Sequence, residues 1–297
     1  MKSLLQSRKA LIGLVLLGIF VVLTVVGPWL APYDPSQTSS AVLQGPSAQH
    51  LLGTTQTGQD VLSQLLVGTR DTMLVGITSA VIATALAVIV GITAGYAGGV
   101  VDEGLSMVSN IFLVIPALPL VIVLAGYLKS SGWLTVAVVI SVTAWSFGAR
   151  VLRAQTLSLR GRDFVKASRA IGERHWRIVL VEIMPNLGAV IISGFLFTFI
   201  SAILTESSLA FLGLGSVNEW SWGSILYWAQ SAEAFSLGAW WWYIPPGLCV
   251  ALVGMSLTMI NLGADEIINP RLAGTRAPRK SRRTTPATVS AAPQEAQ

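Results

Sequence analysis

The 19 basic and 14 acidic residues of this chain leave six long apolar stretches free of charge: residues 10–33, 72–101, 104–128, 130–149, 183–205 and 234–264. A bilayer core about 30 Å thick needs about 20 apolar helical residues to cross it, and each stretch reaches that length. Strands are a poor alternative, because lipid tolerates only helices or closed barrels, and barrel strands alternate over about ten residues. Only 11% of the chain is charged and 53% is apolar, whereas a soluble domain is charged at about 25% of its positions. A water-soluble globule is thereby excluded. The single cysteine, Cys249, cannot form an internal disulfide. The expectation is an all-α polytopic membrane protein with six transmembrane helices. A seventh uncharged stretch, 35–59, is rich in Gln, Ser, Thr and Gly and reads as a polar loop. Lys2, Arg8 and Lys9 ahead of an apolar run also fit the start of a signal peptide. The run from Ala10 to about Leu30 is longer than a usual signal core and lacks a clear cleavage site. A retained first helix is therefore expected.

Charge sets the orientation. An even number of spans puts both termini on one side. The N-terminal lead, the segment between helices 4 and 5, and the C-terminal tail together hold 17 of the 19 basic residues, leaving Arg70 and Lys129 on the other side. The positive-inside rule makes the basic side, and both termini, cytoplasmic. Trp29, Trp133, Trp220, Trp222, Trp228 and Trp240 to Trp242 fall near the expected outer ends. That placement suits an aromatic belt, or rings at a substrate entrance.

The chain divides into an N-terminal helix and external segment (1–70), a five-helix core (71–275) and a disordered basic tail (276–297). Within the external segment, Asp60 to Thr69 reads as an amphipathic helix on the membrane surface. Helix 2 covers about 72–96 and ends in a Gly-rich turn, with Asp102 and Glu103 in a solvated inner bend. Pro116 and Pro119 should kink helix 3. Helix 4 starts near Trp133, helix 5 covers about 186–206, and helix 6 about 243–264.

Residues 150–185 form the one sizeable inner segment. Phe164 to Ile171 carries strong helix formers and stops at Gly172. A second amphipathic run, Arg174 to Met184, leads to Pro185, which opens helix 5. A helix, Gly turn and helix rimmed with Arg suits docking of a cytoplasmic partner that transmits motion. It is equally a positive-inside loop that happens to be helical.

Lys166-Ala-Ser with Gly172 four residues beyond and Pro185 thirteen further on resembles the EAA loop of permeases of ABC importers. Asp163 to Gly172 and Ile183-Met-Pro-Asn186 are similar to the dipeptide, oligopeptide and nickel branch. So are His50 to Ser63, Gly95 to Asp102, Glu206 to Gly215, Trp222-Gly223, Trp240 to Gly247 and Asn269 to Leu272. The similarity, to the "C-type" subunit, covers about residues 8–273. Lys166 stands where Glu is usual and Ser168 where Ala is usual, which reverses one charge at the docking surface.

The resemblance implies a type I importer permease. It would form a heterodimer with a second permease, with two cytoplasmic ATPases and an extracytoplasmic binding protein. In that family the loop is a coupling helix seated on the ATPase, which places Phe164, Lys166, Ala167, Ser168, Arg169, Ala170, Gly172 and Pro185 at the ATPase contact. No phosphate-binding G-x-x-x-x-G-K-[ST] occurs here. ATP and Mg therefore belong to the partner subunits, and this chain catalyses no covalent chemistry and holds no cofactor. His50 and His175 fall on opposite sides and cannot share a metal; His175 reads as an exposed loop residue. Glu206 has three readings: bonding to backbone at a helix break, lining the translocation path, or docking the binding protein. Ser207, Trp220 and Trp222 share the last two. The expected cargo is a di- or oligopeptide, with nickel, an oligosaccharide or a glycopeptide as alternatives. A stand-alone six-helix transporter and a membrane enzyme are the rivals from other classes.

Overall fold

The structure is a computed structural model and describes residues 7–127, 132–214 and 219–268. The tail expected to be disordered, the Asn269 to Leu272 match and Lys129 lie outside the described residues. Five described helices are long and apolar enough to cross a membrane, and a sixth span is reached if one bent pair of helices counts as one. Helix α1 is Arg8–Leu30 and α2 is Val61–Ala97. Two shorter helices follow, α3 Gly99–Val114 and α4 Ala117–Tyr127, bent by 90° at their junction. Pro116 sits at that break, where its missing N–H and its ring end the helix. A kink was expected; the backbone instead turns a corner.

Helix α5, Trp133–Arg160, runs further than the sequence suggested. Arg150, Arg153 and Arg160 therefore belong to a membrane-crossing helix, and the inner segment begins at Gly161. It holds α6, Asp163–Ala170, and α7, His175–Arg177. Helix α7 passes through a π-helical stretch, Ile178–Ile183, into α8, Met184–Phe211. Pro185 falls in the first turn of α8, as expected, although that helix follows the π-helical stretch without a break. The π turn moves the hydrogen bonding one residue along, with Met184 N–H donating to the Val179 carbonyl, and this lets a proline continue the rod. Helices α9, Trp222–Ser231, and α10, Trp240–Ile268, complete the fold.

The expected surface helix over Asp60 to Thr69 is likewise corrected. It is the first three turns of α2, a single helix of 37 residues. The division at residue 70 therefore falls inside one element. Asp60 caps it by accepting from Ser63 N–H at 2.8 Å, and a buried pair with His50 Nδ1 at 2.9 Å fixes the cap. Helix α9 starts on a reciprocal pair between Ser221 and Ser224.

Helix α2 is the hub, packed along α5 and against α8 and α1, while α1 also lies on α10. Small residues make the α2–α5 contact close. A Cβ at Gly95 would stand 2.7 Å from Thr156 Cβ and 2.8 Å from the Arg153 carbonyl. Ser79 Oγ donates across the same seam to the Ala137 carbonyl at 3.1 Å. Close backbone approach of this kind supplies the packing that a bilayer, as apolar as the side chains, does not drive by itself. Four clusters of buried residues fill the bundle. The one nearest the α6 end joins Ile92, Leu152, Val165, Ile178 and Ile183.

Candidate functional site: an exposed helical elbow and an intramembrane groove

At one end of the bundle α6 and α7 form a helical elbow around Gly172. Its φ of +78° lies in the left-handed region, which glycine enters without the penalty a Cβ brings. Val165 is fully buried and anchors α6 in the cluster with Leu152, Ile178 and Ile183. The opposite face of the elbow is open: Phe164, Ile171 and Trp176 are exposed, Ile171 by 78%. Lys166 stands outward beside Asp163, at 3.7 Å. Ala167 and Ala170 share that exposed face.

Arg169 differs from its neighbours. It turns inward, its guanidinium carbon 4.8 Å from the centre of the Tyr96 ring. Tyr96 Oη in turn lies 2.9 Å from His175 Nδ1. His175 is therefore exposed, as expected, but held by α2. Ser168 Oγ donates to the Phe164 carbonyl at 3.1 Å and stays within α6. Pro185 lies beyond the elbow in sequence, in the first turn of α8. Asp102, expected in a solvated bend, lies in α3 and pairs with Arg153 of α5, Nη2 to Oδ2 at 2.8 Å.

At the opposite end the residues expected on the path or at external docking are largely enclosed. Trp222 has no exposed surface. Its backbone N–H donates to Thr72 Oγ1 at 3.1 Å, its indole N–H to Thr69 Oγ1 at 3.2 Å, and its ring meets Phe20 edge-on at 5.6 Å. It is a core residue that locks α9 onto α2. Trp242 is buried as well, so the aromatic belt is reduced to rings such as Trp29, which is 79% exposed. Glu206 is 5% exposed and accepts from Ser207 Oγ at 3.2 Å. Ser221 and Thr72 also face its carboxyl group, and Asp71 is the nearby acid. Glu206 and Ser207 therefore face the α2–α8–α9 junction. Trp220 is half-buried and donates to Ser36 Oγ at 3.3 Å, tying α9 to the 32–60 segment.

The open space in the membrane-crossing part lies elsewhere. A groove of about 560 Å³ runs between α2, the α3–α4 corner, α5 and α8. Phe112, Trp145, Phe147 and Phe197 supply aromatic walls, and Thr84, Ser146, Ser193 and Ser201 supply hydroxyl groups. No ionisable residue lines it. Thr84 Oγ1 is buried with no hydrogen-bond partner among the described residues. Along α8 the lining residues Gly194, Thr198, Ser201 and Thr205 follow the spacing of one helix face. That stripe is visible in the sequence, where Gly, Ser and Thr at this spacing also fit close helix packing.

Residues 87–274 match the family described as binding-protein-dependent transport system inner membrane component. The chain belongs to that family. Residues 1–46 also match the N-terminal transmembrane domain of oligopeptide transport permease C. The dipeptide transport system permease protein of Alkalihalophilus pseudofirmus is 31% identical over 273 residues, covering 91% of this chain and 88% of its own. A putative peptide transport system permease protein of Brucella suis is 34% identical over 275 residues, at 91% and 90%. The oligopeptide transport system permease protein of Bacillus subtilis is 29% identical over 270 residues, at 90% and 87%. The permease is thus a multi-pass inner-membrane component of a binding-protein-dependent transport system. Its family match includes the elbow, α8 and most of the groove.

Proposed function

We propose that the permease is the non-catalytic membrane subunit of an ATP-driven importer of di- and oligopeptides. It pairs with a second, homologous permease, two cytoplasmic ATPase subunits that hold ATP and Mg, and an extracytoplasmic peptide-binding protein. Both termini and the elbow face the cytoplasm, in keeping with the positive-inside distribution of charge.

The observation that carries the reading is the elbow: α6 exposes Phe164, Lys166 and Ile171 while Val165 is rooted in the bundle. An exposed patch of large apolar side chains with a basic residue beside it fits a protein partner. Val165 touches the cluster that includes Leu152 of α5 and Ile183 and Leu187 of the α7–α8 rod. Both α5 and α8 line the groove. A push on α6 from a closing ATPase therefore reaches two walls of the groove through packed side chains, without any covalent step in this chain. Rigid helix groups that rock about a fixed path give alternating access.

The groove is this subunit's half of the path, completed by the second permease. Hydroxyl groups and aromatic faces without charge suit a peptide backbone whose side chains vary, since they offer hydrogen bonds and contact area without selecting one sign of charge. Peptide cargo is favoured by the relatives' names, which are those of dipeptide and oligopeptide permeases.

The test is peptide uptake by membranes that contain the whole importer. Ile171→Glu leaves the core untouched and should abolish uptake of a labelled dipeptide and its stimulation of ATP hydrolysis, with normal amounts of permease in the membrane. Unchanged uptake would remove α6 as the ATPase contact.

A further inference from the structure

A second, smaller pocket of about 200 Å³ opens between α2, α3 and α5. Arg150, Arg153, Ser106, Ser109 and Asn110 give it polar walls. Arg153 is committed to Asp102, whereas Arg150 is exposed and makes no ion pair among the described residues. Ser106 and Asn110 also line an open, largely apolar groove of about 570 Å³ that climbs α3 past Met107, Ile111 and Val114. Glu103 stands at its foot. A cationic pocket and a long apolar groove therefore share one wall.

Depth in the membrane agrees with this division. Arg150 lies 17 residues beyond Trp133 on α5, or about 25 Å at the helical rise. That puts it at the edge of a hydrocarbon core of about 30 Å, near the leaflet on the α6 side. Met107 and Val114 are exposed and rise from that level toward the membrane centre.

We propose that this site binds one phospholipid with an amine headgroup. The phosphate sits against Arg150, with the Asn110 amide as a hydrogen-bond donor, while Ser106 donates to Asp102 Oδ1 at 3.1 Å, and an acyl chain lies along Met107, Ile111 and Val114. Glu103 lies three residues before Ser106, on the same face of α3 and about one turn nearer the membrane surface. It takes the headgroup ammonium, which a two-carbon tether holds close to the phosphate. Asp102 beside it is already paired with Arg153, so the Glu103 carboxylate is the one left to face the headgroup; it disfavours an anionic headgroup, and the site selects phosphatidylethanolamine over phosphatidylglycerol. Basic pockets between helices at a membrane face are known to hold lipid head groups.

The test uses the permease purified with its co-purifying partner chains, stripped of lipid and titrated with each lipid in native mass spectrometry. Wild type should take up one tight phosphatidylethanolamine, at least tenfold more tightly than phosphatidylglycerol. Arg150→Gln should lose tenfold or more for both lipids. Glu103→Gln should erase the preference and retain binding. Met107→Trp, which fills the groove and leaves every charge in place, should weaken both lipids alike. Equal affinity of wild type and Arg150→Gln would overturn the site. So would a preference for phosphatidylglycerol, or a disulfide from Met107→Cys to a partner chain, which would show that protein covers the groove.

Discussion

The guanidinium of Arg169 stacks on the ring of Tyr96 at 4.8 Å, joining α6 to the end of α2. Tyr96 also reaches His175, across the turn at Gly172. One ring thus holds both arms of the elbow. A partly desolvated cation over an aromatic face is worth about 0.5–2 kcal/mol, and the stack leaves α6 little freedom to swing independently of α2. Tyr96→Leu removes both contacts, whereas Tyr96→Phe keeps the stack and loses only the hydroxyl. The leucine variant should transport at a small fraction of the wild-type rate while its ATPases still turn over. The phenylalanine variant should stay within about twofold. Uptake and ATP hydrolysis measured on the same vesicles distinguish the two.

Gly172 isolates backbone conformation from packing. Nothing lies within 4 Å of a Cβ placed there, so a substitution costs only the left-handed φ, about 1–2 kcal/mol for a residue with a Cβ. Gly172→Val should insert normally yet lose uptake and substrate-stimulated hydrolysis. Gly172→Asn, the side chain most tolerant of that conformation, should retain most of both.

The groove is checked by filling it. Ser201 faces the open space from α8. Ser201→Trp should block uptake at least tenfold and leave the permease assembled with its partners, as read by co-purification. An unaffected rate would place the path elsewhere.

The α2–α5 seam should be the least forgiving part of the fold. A side chain at Gly91 would run into the Ala149 backbone, and overpacking of this kind costs about 1–3 kcal/mol. Gly91→Ile should lower the yield of assembled complex and its thermal midpoint, whereas the same change at exposed Gly104, with nothing within 4 Å, should not.

The Asp102–Arg153 pair invites a charge swap. The Arg153 side chain is about one-third exposed, so the pair is worth about 0.2–1 kcal/mol. Asp102→Arg alone should lower the thermal midpoint by a few degrees, and adding Arg153→Asp should recover most of the loss.

Much of this architecture could be read from charge-free stretches, because a bilayer demands apolar residues wherever a helix meets lipid. Helices α1 and α5, the corner at Pro116 and the turn at Gly172 all carry local signals strong enough to read. The misreadings along α2 and α9 share one cause. Arg70 and Asp71 interrupt the hydropathy of α2, yet Gly68, Thr69 and Thr72 beside them are buried against protein, and Thr69 and Thr72 accept from Trp222. Hydropathy assumes a lipid neighbour and cannot register a protein one. Trp222 was placed in an interfacial belt for the same reason. Pro185 marks the start of α8 as read, but the π-helical stretch that joins this helix to α7 leaves little trace in sequence. The groove was missed because its hydroxyl stripe on α8 also fits helix packing.

The most direct measurement is purification of the tagged permease from its native membrane in mild detergent, with mass spectrometry of the chains that accompany it. Recovery of a second hydrophobic permease with one or two phosphate-loop ATPases is the expected result, and loss of the ATPases alone in Ile171→Glu would locate their contact at α6. Recovery of the wild-type chain alone, stable and monodisperse, would contradict the importer and leave a self-sufficient transporter.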